Sequence, residues 1–195
     1  MPGSRQRIVA ACVLLSALAG GAAPIRGAGS ATAGKTAVRT YALPGHGALL
    51  LRVPKSWKDE VKRPSGGLPP TIALHPAGSE DPLFLLTPIW SPKGDKRFNS
   101  LEKVRGVVTE QMRQMAPSAA EKDLSPEPLQ GEQLSGFFFS ATDKAPRKGD
   151  YEHLIQGAFA VGDLLLTATV LSHAKDSDGV RQAMTVLRDA RHRKP

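Results

Sequence analysis

The sequence predicts an α+β domain, an antiparallel β-sheet with helices packed on both faces. Three observations lead there. Short apolar runs recur along the chain with Pro, Gly or charged residues between them, as strands joined by turns do. Two stretches, one from Asn99 and one near the C-terminus, repeat their apolar residues at helical spacing instead. The run Phe137-Phe138-Phe139 is apolar at consecutive positions. Neighbours on a strand point to opposite faces, so both faces there need a cover, and two amphipathic helices supply two covers.

The N-terminal residues read as an export signal. Arg5 and Arg7 precede an apolar core of 12 residues, Ile8 to Ala19, and small residues follow. Ala31-Thr32-Ala33 is a cleavage site of the small-x-small type; Ala17-Leu18-Ala19 and Gly29-Ser30-Ala31 also fit. The core is shorter than the ~20 residues that span a bilayer, so no transmembrane span is expected in the mature form. An uncleaved N-terminal anchor is the alternative. Cys12 lies within the apolar core, not after it, and so reads as a signal residue and not a lipidation site. The expected organisation is a signal peptide over 1–33, a flexible linker over 34–37 and a single domain over 38–195.

Removing 33 of the 195 residues leaves 162, enough for one core. Cys12 is the chain's one cysteine, so the domain is expected to rest on packing, without disulfides, thiolate zinc or a cysteine nucleophile. The leader carries three of the 26 cations and none of the 18 acids, which lowers the formal charge from +8 to +5. That moderate balance suits an anionic partner or simply a soluble basic protein.

Val38 to Leu43 and Ala48 to Val53 flank Pro44-Gly45-His46-Gly47, a hairpin with a glycine-rich turn. The segment "PKSWKDEVKRPSGGLPP" from Pro54 reads as irregular. Thr71 to His75 and Leu83 to Trp90 are strands, each ended by proline. Asn99 with Glu102 resembles a capping box, and Leu101, Val104, Val108, Met112 and Met115 form one helical stripe that Pro117 ends. A Pro-rich connection, Leu124 to Leu129, leads to strands over about Glu132 to Thr142, Tyr151 to Val161 and Leu164 to His173.

Gly162-Asp163 suits a type II′ turn, and the register follows by counting. Val161, Phe159, Gly157 and Ile155 face Leu164, Leu166, Ala168 and Val170, with Gly157 and Ala168 leaving room for a helix. Ala160, Ala158, Gln156 and Leu154 face Leu165, Thr167, Thr169 and Leu171. Asp176 or Ser177 caps a last helix whose stripe is Val180, Ala183, Met184 and Leu187. Arg188, Arg191, His192, Arg193 and Lys194 end it, where the helix dipole favours cations.

The order of elements, four strands, a helix, three or four strands and a closing helix, resembles the PsbP-like superfamily. Leu49-Leu50-Leu51-Arg52-Val53-Pro54 followed by Trp57 is similar to that family's early strand-proline-x-x-tryptophan step. The likeness covers roughly Val38 to Arg191. It implies an antiparallel sheet with helices on both faces, in a family best known for accessory and binding proteins, and it lends no catalytic residue.

Gly-x-Ser-x-Gly, His-Glu-x-x-His and a P-loop are absent, and Gly45-His46-Gly47 precedes a strand, not a helix N-terminus. In the expected register Glu152 sits opposite His173, with His153 beside Ser172 on the other face. A carboxylate and an imidazole on one rim could act as acid and base, but two ligands are too few to expect a metal or cofactor. A cross-strand polar pair capping the hairpin is the plainer alternative. Lys144, Arg147 and Lys148, with Lys55, Lys58, Lys62 and Arg63 around Trp57, could form a basic surface for an anionic partner. Nucleic acid is not expected, because the aromatics are committed to strands. The expected function is therefore an exported (secreted or periplasmic), non-enzymatic binding or accessory protein for an unknown protein or envelope component. The rivals are an envelope enzyme using Glu152 and His173, and a basic protein adhering to anionic envelope surfaces.

Overall fold

The computed structural model describes residues 36–91, 94–95 and 97–195. The expected leader and its cleavage sites lie outside the described residues. The expected linker gives way at Thr36, where the first strand begins.

The described chain is mixed α and β, with antiparallel pairing throughout. The first half runs β1 (Thr36–Ala42), β2 (Ala48–Pro54), β3 (Trp57–Lys62), β4 (Thr71–Pro76), β5 (Leu83–Ile89) and α1 (Leu101–Met115). The second runs β6 (Glu127–Gln130), β7 (Leu134–Thr142), β8 (His153–Val161), β9 (Leu164–Ser172), α2 (Asp178–Arg188) and β10 (Arg191–Arg193). One sheet has three strands in the order β1-β2-β10. The other has seven, in the order β3-β4-β5-β9-β8-β7-β6.

Three strands lie where none was expected. The charged segment after Pro54 forms β3, which pairs with β4 from Trp57↔Pro76 to Lys62↔Thr71. Trp57 is buried and Lys58, Glu60 and Lys62 are exposed, the charged dress of a sheet edge. The Pro-rich connection yields β6 on the opposite edge, where Pro128 needs no outward N–H bond. Arg191 to Arg193 are not helical. They form β10 and pair with Ala48 to Leu50 of β2, so Arg188 alone stands in the last turn of α2.

The hairpin of β8 and β9 has the counted register at every position from His153↔Ser172 to Val161↔Leu164. Gly162 takes φ +57°, as a primed turn requires of its first central residue. Helix caps fall on serines. Ser100 caps α1 and Ser177 caps α2. Asn99 instead donates Nδ2 to the carbonyls of Gly162 (2.8 Å) and Leu164 (2.9 Å), fastening the start of α1 to the β8–β9 turn.

Side chains sort into two apolar clusters by strand alternation. Val180, Ala183 and Leu187 of α2 pack with Leu49 and Leu51 of the small sheet and with Phe84, Phe159 and Leu166 of the large one. Val104, Val108 and Met115 of α1 pack with Phe139, Ala141, Leu154 and Leu165. Leu101, expected on the same stripe, is 52% exposed. Within the Phe triplet only Phe139 is fully buried; Phe137 and Phe138 are half-buried. Phe137 lies under the Arg105 guanidinium, 5.2 Å from its ring centre, and Phe138 lines an open cleft. The space beside Gly157 does not admit a helix. It is filled by Phe138 Cβ and the Phe159 ring, each 2.8 Å from where a Cβ would stand.

The two sheets are joined by polar contacts as well as by the core. Arg39 in β1 pairs with Asp59 in β3 at 2.5 Å, and the Tyr41 hydroxyl donates to the other Asp59 oxygen at 3.1 Å. The Trp57 indole donates to Gln182 in α2 at 3.1 Å.

Candidate functional site

A cleft of about 520 Å³ opens between α2 and the part of the large sheet built from β7 and β8. It exists because α2 packs on β9 and β2 while α1 takes the contacts to β7 and β8 in the other cluster. Strand alternation turns Phe138, Ser140 and Thr142 of β7 toward it, opposite Gly157, Ile155 and His153 of β8. Val180 and Met184 of α2 form its wall. The volume falls within the roughly 300–1,000 Å³ of small-molecule sites, and an apolar body with a few polar groups is their usual lining.

Polar groups stand at both ends, Glu127 and Arg188 at one and Thr142, His153, Ser172 and Lys175 at the other. Glu121, in the segment after α1, accepts from the Thr142 amide and hydroxyl, both at 2.8 Å. The same hydroxyl lies 3.3 Å from His153 Nδ1. Burial opposes ionisation of Glu121, but the two Thr142 bonds and the nearby Lys175 outweigh it, so its carboxyl sits below the usual range. Ser172 is buried and donates to the Ala174 carbonyl at 3.0 Å. Arg181 is held by Asp178 and the Asp176 carbonyl.

A second cleft, of about 530 Å³, is lined by His46, Trp90, Asp95, Asn99, Asp163 and Lys194. Its polar groups are engaged within the fold. Lys194 pairs with Asp163 at 2.9 Å, Asn99 holds the β8–β9 turn, and His46 stacks on Trp90 with ring centres 4.6 Å apart.

Glu152 and His173 do not form a bonded pair among the described residues, and both are exposed. His173 stacks on Tyr151 at 4.9 Å, and its amide donates to Asp81 at 3.2 Å. The expected basic residues are spread apart. Strand register puts Lys55 and Lys58 at one end of β3, and Lys62 and Arg63 at the other. Lys144, Arg147 and Lys148 follow β7, five strand spacings from β3, or about 24 Å. Lys144 is turned to the Pro117 carbonyl. His153 beside Ser172 was legible by counting, but Glu121 was not, since no pattern marks a loop carboxylate that meets a strand end.

The rim near His173 offers a direct check on burial. Burial, then the charges of Glu80 and Asp81, push the Tyr151 phenol from 10.0 up to about 12. Burial, then the Asp59 carboxylate, raises Tyr41 as well. A phenol with a raised folded pKa favours the fold in its neutral form. Its contribution is intact below pH 10 and is lost as pH climbs through the folded value. The chain has two tyrosines. Ultraviolet titration of the native protein is therefore expected to show little tyrosinate until near pH 12, against about 10 in urea. A native midpoint near 10 would mean that these phenols are not held as described.

Among the described residues no helix is long and apolar enough to cross a membrane. Nor do three or more His, Cys, Asp or Glu side chains gather as metal ligands among them.

No family model matches the chain, and no curated protein does. Among solved structures, a crystal structure from Bacteroides thetaiotaomicron VPI-5482 at 1.50 Å resolution is similar, at 14% identity and a TM-score of 0.41. The match covers 83% of this chain and 49% of that one, so the chain spans about half the length of that protein. A likeness of that size carries no argument about fold or function.

Proposed function

We propose that the protein is an exported accessory module that holds a small amphiphilic ligand in the cleft beside α2 and does not chemically transform it. The single observation behind this is the uncovered floor. Phe138 and Ile155 are half-buried aromatic and aliphatic side chains on a sheet face that elsewhere is closed, next to a half-buried Met184 on the helix. Apolar groups left accessible in a concavity of this size are what an apolar ligand body covers. In the same proposal the two helices lie on opposite faces of the seven-stranded sheet, the layering that a PsbP-like resemblance implies. Each helix belonging to a different apolar cluster supports that layering.

Filling the cleft tests the proposal. Ser140 is half-buried on the floor, and Ser140→Trp places an indole where the ligand body would lie. Phenylnaphthylamine, a neutral apolar dye, is expected to brighten on binding the wild type and to bind the variant at least about tenfold more weakly. Thermal unfolding should be little changed. Equal dye binding by a folded Ser140→Trp protein would remove the cleft as the site.

A further inference from the structure

The His153 end of the cleft carries more information than its shape, because the protons of its Thr142, Glu121 and His153 contacts can be counted. A threonine hydroxyl has one hydrogen to donate and lone pairs with which to accept. Thr142 Oγ1 stands 2.8 Å from a Glu121 carboxylate oxygen and 3.3 Å from His153 Nδ1. An ionised carboxylate can only accept, and hydrogen bonds to it are the stronger ones, so the Thr142 hydrogen goes to Glu121. The second Glu121 oxygen is already engaged by the Thr142 amide. The contact from the histidine can then be a hydrogen bond only if Nδ1 carries the proton. In a neutral imidazole that leaves Nε2 with a bare lone pair.

The neighbouring group agrees in sign. Ser172 sits opposite His153 across the β8–β9 pair, and its hydroxyl hydrogen is spent on the Ala174 carbonyl. Its oxygen is left as an acceptor. This end of the cleft therefore carries two acceptors, with the cations Lys175 and Arg181 also on its lining.

From this we infer that His153 is a recognition residue whose proton is fixed on Nδ1 by Glu121 and Thr142, and that the ligand presents a hydroxyl hydrogen to Nε2. The ligand class is an aliphatic or aromatic body ending in an alcohol. The inference rests on the cleft being the binding site, as proposed above.

Two measurements on the full chain test it, and the first needs no ligand. Nitrogen NMR of the native protein with the imidazole neutral should show Nδ1 of His153 as the protonated, pyrrole-type nitrogen and Nε2 as the pyridine-type one. The opposite assignment overturns the inference. Glu121→Gln should reverse the pattern, because the amide can accept from the Thr142 N–H while donating to Thr142 Oγ1, which frees the hydroxyl to donate to Nδ1.

The second measurement is displacement of phenylnaphthylamine by dodecanol and by dodecyl methyl ether, which differ in having or lacking the hydroxyl hydrogen. Dodecanol should compete at about tenfold lower concentration, and Glu121→Gln should abolish that advantage. Equal competition by the two compounds overturns the inference while leaving the cleft as a site for apolar bodies. If the dye does not bind the wild type, the cleft reading falls and this inference with it.

Discussion

Phe139→Ala is expected to lower the unfolding free energy by about 3–5 kcal/mol, the range for deleting a fully buried phenylalanine. Phe139 is 0% exposed and sits in the cluster beneath α1 with Val104, Val108 and Leu154. Removing the ring leaves a cavity between a sheet and a helix, two surfaces that can collapse only by shifting as units. Phe137→Ala and Phe138→Ala should each cost distinctly less. Phe137 is only half-buried, with the exposed Arg105 guanidinium over its ring, and Phe138 already faces the open cleft. The measurement is denaturant unfolding of the three single variants with a common slope. Equal losses at all three positions would contradict the burial described for this strand.

The second large effect is expected at Gly157. A Cβ there would stand 2.5 Å from the Phe137 carbonyl oxygen and 2.8 Å from both Phe138 Cβ and Phe159 Cζ. The Phe159 ring also leans over Gly136, its partner across the β7–β8 pair, where an added Cβ would meet Cδ1 at 2.8 Å. One aromatic ring thus occupies the side-chain space of two glycines on adjacent strands. Gly157→Ala should cost about 1–3 kcal/mol through overpacking, despite alanine's better strand entropy. Part of that cost should vanish in a Phe159→Leu background, where the shorter side chain no longer reaches over position 157. A double-mutant cycle on unfolding free energies reads this directly. Strict additivity of the two changes would show that the ring and the glycine are not coupled.

How much of this was legible depended on the range of the interaction. The β8–β9 register could be counted from Gly162-Asp163, because a two-residue link leaves little freedom. Period alone placed Val180, Ala183 and Leu187 of α2 in the core, but it put Met184 there as well, which is half-buried at the cleft, and missed the buried Val186. What escaped were pairings made at a distance. The segment around Trp57 looks irregular because its charges suit solvent, and only β4 makes it a strand. Arg191 to Arg193 look like a helix tail until β2 supplies a ladder. Asn99 looks like a cap, yet its amide is claimed by carbonyls far along the chain and Ser100 takes the role. The cleft behaves the same way. Its His153–Ser172 pair could be counted across one turn, but Glu121 meets Thr142 from a loop 21 residues away in the chain. Phe138 was expected to be buried because both helices were treated as full covers, whereas α2 covers only part of its face.

The pairing of β10 with β2 also sets the order in which the molecule can be completed. Leu50 finds Arg191 across nearly the whole described chain, so the small sheet has the most distant contacts in the fold and bears the largest loop-closure cost. Contacts of such separation are slow to close, because the loop entropy is lost before the contact is gained. Until β10 pairs, one edge of β2 is open, an apolar strand with free backbone donors and acceptors. A chain in which β10 has not yet paired therefore offers that edge to another copy of itself, and the ladder from Arg191 to Arg193 removes the hazard.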